Sequence, residues 1–213
     1  MKTRSTPISP TKTQALIRVL SAVTHGYTRV CAGTVSQARL NALAAKFDTL
    51  YGIAHTKGQR VQNKRKGRAN TLFAVYRPKD QFLAEGEKLH WILLATEGAG
   101  MEGERLAHVH DRPTWLDYEL CRHNDLGEVR WTWRRTYSEV AALYAELREH
   151  LNTQRYDEIG RLLERVARQP GFHGVRSQAL QIFAYAMHRG YRGPIPHLYF
   201  VQKMSHGDPM VVV

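Results

Sequence analysis

The chain has 213 residues, 43% of them apolar and 23% charged, which is enough to bury a sizeable core and too ordinary for wholesale disorder. No run approaches the roughly eighteen consecutive apolar residues of a membrane-spanning helix, and the polar first ten residues lack the apolar stretch of a secretory signal. The two cysteines, Cys31 and Cys121, cannot by themselves make a disulfide scaffold or a thiolate metal cage, so a cytoplasmic protein is expected.

Taken in chain order, residues 1–12, with Pro7 and Pro10, read as a flexible tail. Apolar residues at 15, 16, 19, 20 and 23 predict a short helix over 14–23, and YTRVCAGTV at 27–35 a strand. Ser36 can cap a second helix, whose apolar positions are Leu40, Leu43, Ala44, Phe47 and Leu50. HTKGQRVQNKRKGRAN at 55–70 has two glycines and almost no apolar content, and is expected to be a mobile arm. Strands follow at 71–76, 89–96 and 130–136.

Thr136 and Glu139 have capping-box spacing ahead of an apolar face at 140, 143, 144, 147 and 151. Two more helical faces run from Ile159 to Val166 and from Val175 to Met187, and strand-like runs close the chain at 197–203 and 210–213. These elements predict an α+β fold: a mixed or antiparallel sheet with an N-terminal helix pair and a C-terminal three-helix segment. After the tail, residues 13–213 are expected to form a single domain, with the basic arm at 55–70 and the helical segment at 136–190.

Charge is what stands out. There are 31 Lys and Arg against 19 Asp and Glu, a net +12. Residues 1–70 hold thirteen of the basic side chains and one acid, Asp48, so they carry the whole excess. Such a self-repelling block calls for an anionic partner, and nucleic acid supplies one, because Lys and Arg that neutralise phosphates release condensed counterions. Lys57, Arg60, Lys64, Arg65, Lys66 and Arg68 are the expected contacts. A membrane partner is not expected, since the segment has no bulky apolar face. A protein partner within a nucleoprotein complex is compatible with the same charge.

Further constellations bear on activity. His108 and His110 are two apart, which on a strand puts both rings on one face, with Asp111 next and His123 further on; Mg2+ or Mn2+ would suit such a set, and otherwise no cofactor is expected. Together with Tyr199-Phe-Val-Gln-Lys203, this His-x-His resembles the HUH nickases of plasmid and phage replication. The resemblance implies a metal-dependent nickase with Tyr199 as nucleophile, although Asp111-Arg112-Pro113 interrupts the strand. His25, Tyr27, His55 and Lys57 are the types that metal-free RNA cleavage uses for base, acid and charge stabilisation.

Finally, Arg176, Ser177, Gln178 and Gln181 open a helix after a turn, as in helix-turn-helix readers of base edges. Trp131 and Trp133, flanked by Arg130, Arg134 and Arg135, share a strand face that could stack bases or sit under a helix. A nucleic-acid-binding protein is therefore expected, for DNA or RNA, with an endonuclease or nickase as the alternative.

Overall fold

A computed structural model describes residues 5–77, 88–125, 127–199 and 208–211. The fold is α+β. The chain divides into two compact units, residues 1–116 with 204–213, and residues 117–203.

The first unit is built on a six-stranded sheet. Its strands are β1 (Ser5–Ser9), β2 (Tyr27–Ser36), β3 (Thr71–Tyr76), β4 (Lys88–Thr96), β5 (Ala107–His108) and β9 (Asp208–Val211), in the order β5-β2-β4-β3-β1-β9. Only β1 and β3 run parallel; the other pairs are antiparallel. Residues 5–9 are thus a strand, where the two nearby prolines predict a flexible tail. Proline is tolerated in β1 because its bonded register with β3 is confined to Ile8 and Ser9.

β3 and β4 read as near-continuous apolar runs because both sheet faces are covered. Helix α1 (Lys12–Thr24) packs on β1, β2 and β3, burying Ala15, Leu16, Val19, Ala22 and Val23. Helix α2 (Gln37–Tyr51) brings Leu40, Ala44 and Phe47 onto Phe73, Val75, Leu89, Leu93 and Ala95. Phe47 meets Phe73 and Trp91 edge-on, each at 5.5 Å between centroids. Gly33, opposite Trp91 in the ladder, makes this possible: a Cβ there would lie 2.7 Å from the indole.

The basic segment 55–70 is a helix, not a mobile arm. α3 (Lys57–Arg65) opens on a reciprocal capping box between Thr56 and Gln59, and Lys64 and Arg65 in its last turn suit the negative end of the helix dipole. It closes on Gly67, at φ 67°, where the Gly67 amide donates to the Lys64 carbonyl and the Arg68 amide to the Asn63 carbonyl, which is a Schellman stop. The chain is then stapled to the glycine loop that follows β4: the Ala69 amide donates to the Ala99 carbonyl, and the Ala99 amide to the Gly67 carbonyl, both at 3.0 Å. Beyond that loop come β5, a single 3-10 turn over Val109–Asp111, and the short strand β6 (Thr114–Trp115).

The second unit opens with an antiparallel hairpin, β7 (Tyr118–Asp125) and β8 (Glu128–Arg135), of which the sequence reading had only the second strand. Helices α4 (Tyr137–Asn152), α5 (Tyr156–Ala167) and α6 (His173–His188) follow, as their apolar spacing predicts. Their shared core contains Leu143, Leu147, Ile159, Leu162, Leu163, Val166, Ile182 and Phe183. Gly174 lets the first turn of α6 lie against β8, since a Cβ there would stand 2.6 Å from the Trp133 carbonyl oxygen. Of the strand expected over 197–203, residues 197–199 are irregular and the rest lies outside the described residues.

Candidate nucleic-acid interface

Helix α3 buries no apolar side chain. Polar groups hold its inner face instead. Arg60 turns inward and spends three N–H groups on the protein: Nε donates to the His55 carbonyl (3.2 Å), and its two terminal nitrogens donate to the Tyr27 hydroxyl (2.9 Å) and the Ile53 carbonyl (3.4 Å). One turn on, the Asn63 amide nitrogen donates to Asn70 Oδ1 at 3.3 Å, while Asn70 Nδ2 donates to the Arg60 carbonyl at 3.0 Å. Asn70 is itself locked to Thr96, whose hydroxyl accepts its amide and whose amide donates to its carbonyl, both at 2.9 Å. A helix too polar for hydrophobic docking is thus held at the end of the sheet by hydrogen bonds.

Outward, Lys57, Lys64, Arg65, Lys66 and Arg68 are all exposed. Lys57, Val61, Lys64 and Arg65 follow helical spacing and form one stripe, which Lys66 and Arg68 extend past the helix end. Of the six basic residues expected at the interface, five face solvent and Arg60 does not. Arg29, on β2, is drawn off as well: its Nε donates to Glu97 at 3.0 Å. The Thr28 hydroxyl, then Arg29, hold the Glu97 carboxyl below its ordinary value.

Hydrogen-bond chemistry bears on the two histidines of the metal-free reading. Because the Arg60 carbonyl can only accept, Asn70 Nδ2 is the donor there and Asn70 Oδ1 accepts from Asn63; Asn63 Nδ2, 3.1 Å from His55 Nδ1, is then a donor too. His55 Nδ1 therefore accepts and Nε2 carries the proton, so the ring, resting on Gly52, is a donor and not the free base that metal-free cleavage would ask of it. His25 is the opposite. Its Nδ1 lies 2.6 Å from the Ser21 carbonyl and must donate, so in the neutral form Nε2 is the acceptor on this exposed ring at the end of α1.

The metal reading of His108 and His110 loses its geometry. β5 ends at His108 and the 3-10 turn begins, so the pair does not continue along a strand. The rings stack at 4.7 Å, His108 Nδ1 accepts the His110 amide at 3.1 Å, and Asp111 accepts the His108 amide at 3.0 Å. Among the described residues, no three His, Cys, Asp or Glu side chains gather as a metal site. Tyr199 sits in irregular chain in the second unit, 70% exposed, its ring edge-on to His197; Lys203 lies outside the described residues.

In the second unit, Gln178 is committed to the fold. Its Oε1 accepts the Arg135 amide at 2.8 Å and its Nε2 donates to the Arg135 carbonyl at 3.1 Å, so both ends of the amide are used on β8 and none is offered to a base edge. Arg176, two residues before it, is half-buried. Trp133 is a core residue, 1% exposed, and the Arg122 guanidinium lies over one face of the Trp131 ring, 4.8 Å from its centroid.

Sequence reasoning passed over Asn63 and Asn70 as site-builders, because lone polar residues carry no periodicity. The signals that were present are the Thr56–Gln59 spacing and Gly67, which bracket α3. No protein-family model matches the chain, and neither a curated protein nor a solved structure matches it.

Proposed function

We propose that this protein binds nucleic acid through the outer face of α3 and the turn that follows it. The observation that carries the reading is the division of labour within one short helix. Arg60 and Asn63 pin it inward, while Lys57, Lys64, Arg65, Lys66 and Arg68 present five cations outward with no acidic residue in the segment 55–70. A preorganised cationic stripe loses little entropy on meeting phosphates, so it favours affinity over the folding-on-binding expected of a disordered arm. The partner class is a nucleic acid backbone, read by charge and not by base edges.

The experiment is a salt titration of binding to labelled single- and double-stranded DNA and RNA. Replacing Lys64, Arg65, Lys66 and Arg68 with Ala should lower the slope of log affinity against log salt by about three, at roughly 0.7–0.9 per phosphate contact. An unchanged slope in a folded quadruple variant would remove this face from the interface.

A second reading, metal-independent RNA cleavage, rests on His25 alone, an exposed ring whose Nδ1 donates to the Ser21 carbonyl and whose Nε2 in the neutral form would be the base. Its mark would be cleavage that survives EDTA and is lost in His25→Gln; intact RNA after long incubation with the wild-type protein would dismiss it.

A further inference from the structure

Helix α3 meets solvent along a ridge. Gly58, Val61, Gln62 and Arg65 have the spacing of one helix face, and all four are exposed, while Arg60 and Asn63 turn inward on the other side. At about 100° per residue, Lys57 and Lys64 stand on one flank of that ridge and Lys66 on the other. The ridge itself is uncharged until Arg65 closes it. Gly58 has no side chain, and a Cβ there would meet nothing within 4 Å. Val61 is short and aliphatic, 53% exposed, and offers no ring for the base stacking on which single-strand binders rely. A single strand laid along the helix would want its cations on the ridge. Cations to either side of a largely neutral ridge match two rows of phosphate with base edges between them, which is a groove of a duplex.

We infer that the partner is duplex DNA and that α3 enters its major groove ridge first, with Lys57 and Lys64 towards one phosphate strand and Lys66 towards the other. The inference rests on the nucleic-acid reading proposed above and adds the form of the partner. The sizes agree: a helix with its side chains is about 10–12 Å across, and the major groove of B-form DNA is about 12 Å wide and about 8.5 Å deep. The major groove of A-form RNA is too narrow for side chains to enter, and a single strand has no groove. Gly58 and Val61 keep the leading edge of α3 low, so the helix sits deep enough for its flanking lysines to reach both rims. The capping box at Thr56 and the stop at Gly67 fix the helix before it meets DNA, so no ordering cost accompanies its entry. What is matched is the width of the groove, and charge supplies the affinity.

The test compares binding of the full chain, at one low salt concentration, to short labelled probes of the same base sequence: double-stranded DNA, double-stranded RNA and single-stranded DNA. Double-stranded DNA should bind about tenfold more tightly than either of the others. On that duplex, dimethyl sulfate footprinting should show guanine N7, in the major groove, protected, and adenine N3, in the minor groove, still reactive. Gly58→Trp places bulk on the ridge where the fold leaves open space, and an unchanged circular dichroism spectrum checks that the variant folds. It should lose duplex affinity about tenfold, together with the N7 protection, and bind single-stranded DNA no less tightly than the wild type.

No preference for double-stranded DNA overturns the inference, and so does protection of adenine N3 in place of guanine N7. A folded Gly58→Trp variant that binds the duplex as the wild type does overturns it as well. Each of these outcomes leaves binding through the cations of α3 standing. Failure to bind any of the probes at low salt would instead sink the function proposed above, and this inference with it.

Discussion

The Gly98 backbone passes so close to the chain between Arg68 and Ala69 that a Cβ on Gly98 would lie 2.6 Å from the Ala69 amide nitrogen and 2.7 Å from the Arg68 carbonyl carbon. Gly98 also sits at φ 142°, which side-chain-bearing residues rarely adopt. This contact fastens the end of the basic helix to the loop after β4, alongside the hydrogen bonds between Ala69, Ala99 and Gly67.

Gly98→Ala should therefore destabilise the first unit by about 2–3 kcal/mol, since backbone strain and a backbone clash act together. It should also open the segment to protease. In the wild type, trypsin is expected to cut slowly between residues 57 and 68, and in Gly98→Ala quickly, as time-resolved proteolysis with mass spectrometry would record. Equal rates would mean that the staple does not hold the helix end.

The Gln178 amide offers a cleaner separation of fold from function. Gln178→Ala removes two hydrogen bonds and leaves an Arg135 amide and carbonyl without their partner, which should cost about 1–3 kcal/mol in denaturant unfolding. Nucleic-acid affinity of the folded variant should be unchanged. A variant of wild-type stability with weakened binding would reinstate the start of α6 as a reading helix.

Tyr118 predicts a specific alkaline behaviour. Its hydroxyl donates to Gln169 Oε1 at 2.5 Å, and burial, the dominant cause, pushes its pKa up to about 12 from an ordinary 10. The raised value means that the unfolded chain loses this proton first, so stability is intact below pH 10 and falls as pH rises from 10 towards 12. Tyr118→Phe should cost about 1–2 kcal/mol at neutral pH through the lost hydrogen bond, and its stability should then decline less steeply above pH 10. Parallel unfolding curves of the two proteins across that range would contradict the assignment.

The elements that were legible in the sequence are those that bury apolar side chains. Ile159, Leu162, Leu163 and Val166 declare α5 because one face of it enters the core, and the TLFAVY and LHWILLAT runs declare β3 and β4 because both faces of the sheet are covered. Helix α3 was missed for the converse reason: what it turns inward is Arg60 and Asn63, so its hydropathy is indistinguishable from that of a solvated loop. Its end signals were readable, but glycines at 58 and 67 weighed towards flexibility when one of them is a helix stop. The cations of the interface were legible as composition. Which five face outward was not, since that depends on Asn70 and on Tyr27 and Thr96, the last two brought in from distant parts of the chain.

Of the six strands in the first sheet, β1 and β9 are neighbours in space although they come from opposite ends of the described chain, with Ser5 facing Val211 and Pro7 facing Pro209. A ribosome makes β1 before the second unit and β9 only after it. Until then the nascent sheet carries an unpaired edge, open to any passing strand. Proline is among the residues that blunt an edge strand against stray pairing, and Pro7 stands at the centre of β1. The proline that makes β1 hard to recognise as a strand is thereby a safeguard during biogenesis, and the strand that finally covers it meets it with a proline of its own.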